Sequence, residues 1–121
     1  MPTPSGHTTA ITAKRVIGSA VRDTQGNKIG HIEDLVLDKL SNNIMFAVVG
    51  FGSVLGMGQK YHPIPWSMLD YADGSDAYVV TLTEDQLKNA PADTIDQLVA
   101  NDGAAFRDRA YAHYNAPRYW S

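Results

Sequence analysis

The hydrophobic pattern of the chain changes period near residue 83. From Lys14 to Leu82 apolar residues come in short runs parted by turn-forming residues, and beyond Asp93 they recur at helical spacing. Val16 to Val21 predicts a short strand. It ends at Asp23-Thr24-Gln25-Gly26-Asn27, residues that tolerate positive φ or bond their own backbone. Lys28 to Asp38 predicts a longer strand, with Ile32, Asp34, Val36 and Asp38 on one face and His31, Glu33, Leu35 and Leu37 on the other. The alternation is impure, and Gly30 marks an expected bulge or bend near the start. After the turn Ser41-Asn42-Asn43, Ile44 to Phe51 is an unbroken apolar run, which requires cover on both faces.

A glycine-dense loop follows, then a strand over Lys60 to Pro65, a corner at Trp66-Ser67-Met68-Leu69, a turn at Asp73-Gly74-Ser75-Asp76, and a strand over Ala77 to Leu82. Thr83-x-x-Gln86 has the form of a capping box, so a helix is expected to start there and stop before Pro91. Ile95, Leu98 and Val99 sit at helical spacing behind a cap at Asp93 or Thr94. Asn101-Asp102-Gly103 breaks that helix, and Phe106, Ala110 and Tyr114 define the next, which Asn115-Ala116-Pro117 ends. The expected fold is mainly β with α: a small, antiparallel, strongly bent barrel followed by short C-terminal helices. Residues 1–11 read as a mobile leader, 12–91 as the barrel and 92–121 as a helical extension.

Composition narrows the function. The 121 residues suit one domain, 44% hydrophobic and 19% charged, an ordinary globular balance. A net charge of −3 with no Lys/Arg cluster disfavours nucleic acid as a partner. The absence of Cys removes disulfides, thiolate catalysis and Cys-ligated zinc. The longest apolar run, Ile44 to Phe51, is far short of the ~20 residues of a membrane span, and Met1 to Gly6 lacks a secretory signal, so a cytoplasmic location is expected.

Catalytic templates fit poorly. Gly50-x-Gly52 leads into a strand rather than a helix, Leu55 stands where a dinucleotide loop needs its third glycine, and Tyr61 follows Lys60 where a P-loop needs Ser or Thr. Ser53 and Ser67 have no G-x-S-x-G setting. Asp34 and Asp38 lie about 13 Å apart along a strand at ~3.3 Å per residue, too far for a carboxylate pair. No catalytic residue, metal ligand or cofactor is assigned. The alternative is a metal or acid–base site in which His31 and His62 converge with Asp34 or Glu33. Two surfaces are candidates for interaction: the aromatic stripe Phe106, Ala110 and Tyr114 with Tyr119 and Trp120, and the loop side chains Val54, Leu55 and Met57. The outer face of Ile44 to Phe51 must meet Phe106, Ala110 and Tyr114 of its own chain or of a second subunit, and a homodimer is expected.

Four pieces in order carry a family resemblance: Gly26-x-x-Ile29-Gly30-x-Ile32-x-Asp34-Leu35-Val36-x-Asp38, Phe51-Gly52-x-x-Leu55-Gly56-x-Gly58-x-Lys60, Pro65-Trp66-x-x-Leu69, and Leu87-x-x-Ala90-Pro91. The chain resembles the PRC-barrel family, named for the cytoplasmic domain of the photosynthetic reaction centre H subunit and found also in ribosome maturation factors. Tyr111-x-x-Tyr114 with Tyr119-Trp120 is similar to helical extensions of stand-alone bacterial members. The resemblance implies a non-enzymatic interaction or scaffold module, accessory or regulatory, with an unidentified protein partner. A ribosome-associated or RNA-processing role is a further alternative by the same analogy. Structural roles fall to Gly26, Gly30, Gly52, Gly56 and Gly58 in turns and bends. Asp34 and Asp38 are expected to accept from loop N–H groups or Lys60, and Trp66 behind Pro65 to plug a barrel end.

Overall fold

Two aspartates set the first two hairpins. In the computed structural model, which describes residues 10–51, 60–72, 76–82, 86 and 89–120, Asp23 Oδ1 accepts from the N–H groups of Gln25 and Asn27, both at 2.9 Å. With Gly26 at φ 88°, this closes the turn between β1 (Ala20–Arg22) and β2 (Lys28–Leu37). Asp38 does the same between β2 and β3 (Ile44–Phe51), accepting from Leu40 N–H at 2.9 Å and Ser41 N–H at 3.3 Å. β4 (His62–Pro65) then runs through a one-turn 3₁₀ helix, η1 (Trp66–Met68), into β5 (Leu69–Ala72), and β6 (Ala77–Val80) follows.

The strands form one sheet in the order β4-β3-β2-β1-β6-β5. β6 returns beside β1 in parallel and every other neighbouring pair is antiparallel, so the sheet is mixed. Its two edge strands, β4 and β5, are joined by η1 alone, which curls the sheet into a half-barrel. The expected class, a strongly bent small barrel followed by helices, is the one observed, with one parallel pair in it.

The strand expected over Val16 to Val21 divides in two. Ala13–Val16 is a single helical turn, α1, in which the Thr12 carbonyl accepts from the N–H groups of Arg15 and Val16. Gly18, at φ 95°, then redirects the chain into β1. The apolar run hid this break because Val16 is buried as well: it enters the core from a helix.

Two bulges explain the impure alternation of β2. Ile32 pairs with Val49 and Asp34 with Val48, leaving Glu33 as the extra residue; Leu37 pairs with Ile44 and Val36 with Phe46, leaving Met45 extra on β3. A third irregularity falls at Ile29, beside the glycine expected to mark it, since Val21 pairs with Gly30 and Arg22 with Lys28. Gly30 has a second constraint. A Cβ there would overlap the Gly50 carbonyl and lie 3.0 Å from Phe51 Cδ1.

β3 is buried along both faces, as its sequence requires. Inside the half-barrel Ala47 and Val49 pack with Val21, Ile32, Ile64, Leu69 and Val80. Outside, Phe46 and Val48 pack with Leu98 and Phe106. The outer cover comes from α2 (Ile95–Leu98) and α3 (Ala104–Tyr114), linked by the 3₁₀ turn η2 (Ala100–Gly103). Thr94 caps α2 by accepting from Gln97 N–H at 3.4 Å. Asn101, Asp102 and Gly103 all take positive φ and turn the chain back.

α3 crosses the edge of β4, with Phe106 in the outer cluster and Tyr114 in the inner one. This face of β3 is therefore covered by its own chain, which removes one of the two arguments for a dimer. The other, the loop carrying Val54, Leu55 and Met57, lies outside the described residues, as do Gly52, Gly56 and Gly58. The helix expected from Thr83 lies mostly outside them too. Among the described residues no helix is long and apolar enough to cross a membrane.

Candidate functional site

Asp38 joins the β2–β3 turn to the C-terminus. Its Oδ1 accepts from the turn N–H groups, and its Oδ2 accepts from the Tyr119 hydroxyl at 2.7 Å. These bonds, with Tyr119 first, hold the Asp38 carboxyl below its ordinary 3.8. The Tyr119 hydroxyl is pushed up to about 12, chiefly by burial and then by the hydrogen bond and charge of Asp38. Backbone bonds close the same turn, from Asp38 N–H to Asn43 O and from Asn42 N–H to Asp38 O, each 2.8 Å. The result is a rigid tip that presents Leu40, 98% exposed, and Leu37, 61% exposed.

An aromatic and arginine cluster backs the Tyr119 bond. Trp120 meets Tyr111 edge-on at 4.6 Å and Tyr119 at 5.1 Å, and the Arg107 guanidinium lies 4.0 Å from the Trp120 ring. Arg107 is also 3.0 Å from Asp108. Tyr111, buried, donates to the Met45 carbonyl at 2.7 Å, so α3 is bonded to the bulge residue of β3.

The histidines do not converge. His31 pairs with Gly50 and its ring lies 3.0 Å from where a Gly50 Cβ would stand; His62 pairs with Val49, the next residue of β3. Consecutive strand residues face opposite ways, so the two imidazoles lie on opposite faces of the sheet. The site anticipated around His31, His62 and Asp34 is thereby taken apart. On one face His31 Nε2 is 3.3 Å from Glu33 Oε1, and burial and then Glu33 raise the Tyr61 hydroxyl. On the other, His62 packs against the Phe51 ring at 5.1 Å. Asp34 is exposed and accepts from the N–H of Leu35 at 2.7 Å. Among the described residues no three His, Asp or Glu side chains are grouped to hold a metal.

Of the interaction candidates, Phe106 (8% exposed) and Tyr114 (6%) are occupied inside the chain, while Tyr119 and Trp120 remain half-buried in the cluster above. Pro65 is buried opposite Phe46, and Trp66 is half-buried against Tyr78 at 5.4 Å, a rim residue rather than a sealed plug. Sequence reasoning passed over Leu37, Leu40 and Arg107. Leu40 had a signal: a large apolar side chain amid the turn formers Asp38-Lys39-Leu40-Ser41-Asn42-Asn43.

A family model described as the PRC-barrel domain matches residues 8–87. Among individually curated proteins none matches the chain.

Proposed function

Since the chain belongs to the PRC-barrel family, we propose that it is a non-enzymatic protein-interaction or scaffold module that engages its partner through the β2–β3 tip. The observation that carries this reading is the exposed pair Leu37, at the end of β2, and Leu40, in the turn that follows, whose backbone and carboxylate bonds leave it little freedom. Exposed apolar side chains held rigidly lose little entropy on binding, which favours recognition. Tyr119 and Trp120 flank the tip's anchor and supply the aromatic component that interfaces favour. The acidic net charge and the dispersed histidines support this reading over the RNA and metal alternatives.

The test is recovery of partners from the native host by affinity purification, comparing the wild type with Leu37→Glu/Leu40→Glu. A partner bound at the tip should fall at least tenfold in recovery while the variant keeps the wild-type melting temperature. Unchanged recovery would defeat the tip as the docking surface. Self-association through the segment holding Val54, Leu55 and Met57 belongs to the same reading. Sedimentation of wild type against Leu55→Lys/Met57→Lys decides it.

A further inference from the structure

α3 straddles the edge strand β4, and each of the two elements carries a histidine, His62 on β4 and His113 on α3. His62 of β4 is half-buried, and its Nδ1 is shut off from solvent without a hydrogen-bond partner among the described residues. His113 of α3 disfavours a charge on that ring, and its own Nε2 lies 2.8 Å from the Gln86 carbonyl, an acceptor that requires that nitrogen to carry the hydrogen. Tyr114, next on α3, has a buried hydroxyl that is likewise without a partner among those residues. Among the described residues the seam between helix and strand thus encloses two polar atoms without a hydrogen-bond partner, His62 Nδ1 and the Tyr114 hydroxyl.

We propose that His62, on β4 beneath α3, is an acid-sensitive latch: protonating it releases the C-terminal helix from β4. Among the described residues the Pro91 backbone alone favours a charge on His62. β3 presents the Phe51 ring, the segment before α2 the Pro91 backbone, and α3 the His113 imidazole. Glu84 and Asp85 precede Gln86 in a part of the chain outside the described residues. Burial is the main force disfavouring the charged ring, with His113 acting in the same sense and the Pro91 carbonyl opposing both.

The sign follows from linkage. A folded-state value below the ordinary 6.5 leaves docking at full strength above pH 6.5. As pH falls from 6.5 towards the lowered value, the undocked form takes up a proton that the docked form refuses. Each pH unit in that window multiplies the undocked population by up to about tenfold. Release of α3 withdraws Phe106 from Phe46 and Val48, while Leu98 of α2 stays in that cluster. The latch does not depend on the tip being the docking surface.

The experiment is an NMR titration of the full chain from pH 7.5 to 4.5, following the His62 ring and the amide protection of residues 105–114 together. The expected result is a His62 midpoint below 6.5, with protection across α3 falling up to about tenfold per unit in that window while β1 to β3 stay protected. His62→Gln should flatten this dependence, and His113→Gln should weaken it. A His62 midpoint at or above 6.5, or α3 protection independent of pH, overturns the proposal. So does the same pH dependence in His62→Gln. If that variant does not fold, the wild-type titration decides alone.

Discussion

Tyr111 and Tyr114 lie three residues apart on α3, both buried, and the same substitution at the two should act in opposite directions. Tyr111 donates at 2.7 Å to the carbonyl of Met45. Met45 is the extra residue of a bulge, where the ladder does not supply a regular partner. Tyr111→Phe removes the donor and leaves a buried carbonyl unsatisfied, a loss of about 1–3 kcal/mol. Among the described residues the Tyr114 hydroxyl has no partner, and burial pushes its pKa well above the ordinary 10. Its desolvation is uncompensated in the folded state, so Tyr114→Phe should be neutral or stabilising, by up to about 1–2 kcal/mol. The ring and its packing stay in both variants, which restricts the comparison to the two oxygens. Equilibrium urea unfolding at pH 7.5, read by circular dichroism, gives both differences from midpoint shifts at constant slope. Losses of similar size at both positions would refute the hydrogen-bond assignments. So would a Tyr114→Phe loss larger than that of Tyr111→Phe.

Other outcomes follow from the packing. Phe46, fully buried between β3 and the helices, should cost about 3–5 kcal/mol on truncation to Ala. Trp66→Ala should cost roughly half of that, because the ring is only half-buried; equal losses in urea would place Trp66 in the core. Gly30→Ala forces a methyl group into the Gly50 carbonyl and should destabilise by about 1–3 kcal/mol through overpacking, and a wild-type midpoint would show that the β2–β3 approach is looser than observed. In a spectrophotometric titration Tyr119 should ionise near 12. Asp38→Asn should lower that value without returning it to 10, since burial, the larger cause, remains. A return to 10 would make the carboxylate the dominant cause.

Local chemistry was legible where one segment decides the outcome. The turns at Asp23 and at Ser41-Asn42-Asn43, the doubly covered β3 and a cap at Asp93 or Thr94 each follow from a few adjacent residues, and each is present, the cap at Thr94. The choice between covering β3 in cis or in trans was open in the sequence because Phe106 and Tyr114 suit either. The fold resolves it by running α3 across β4. What remained hidden is set by pairing between distant segments. The bulges at Glu33 and Met45 shift register without altering composition, and the parallel return of β6 to β1 has no local mark. The separation of His31 from His62 is of the same kind, since it depends on which β3 residue each opposes. Val16 misled for another reason: an apolar run of that length fits a helical turn as well as a strand.

The central claim, recognition through the β2–β3 tip, is tested most directly by site-specific photocrosslinking in the native host. A benzophenone side chain replaces Leu40 in one strain and the exposed Asp70 of β5, remote in sequence from the tip, in another. The account predicts a discrete adduct from position 40 that is absent from position 70 and is lost when Leu37→Glu is added. Identical adducts from both positions, or none from position 40 in cells expressing folded protein, would contradict it.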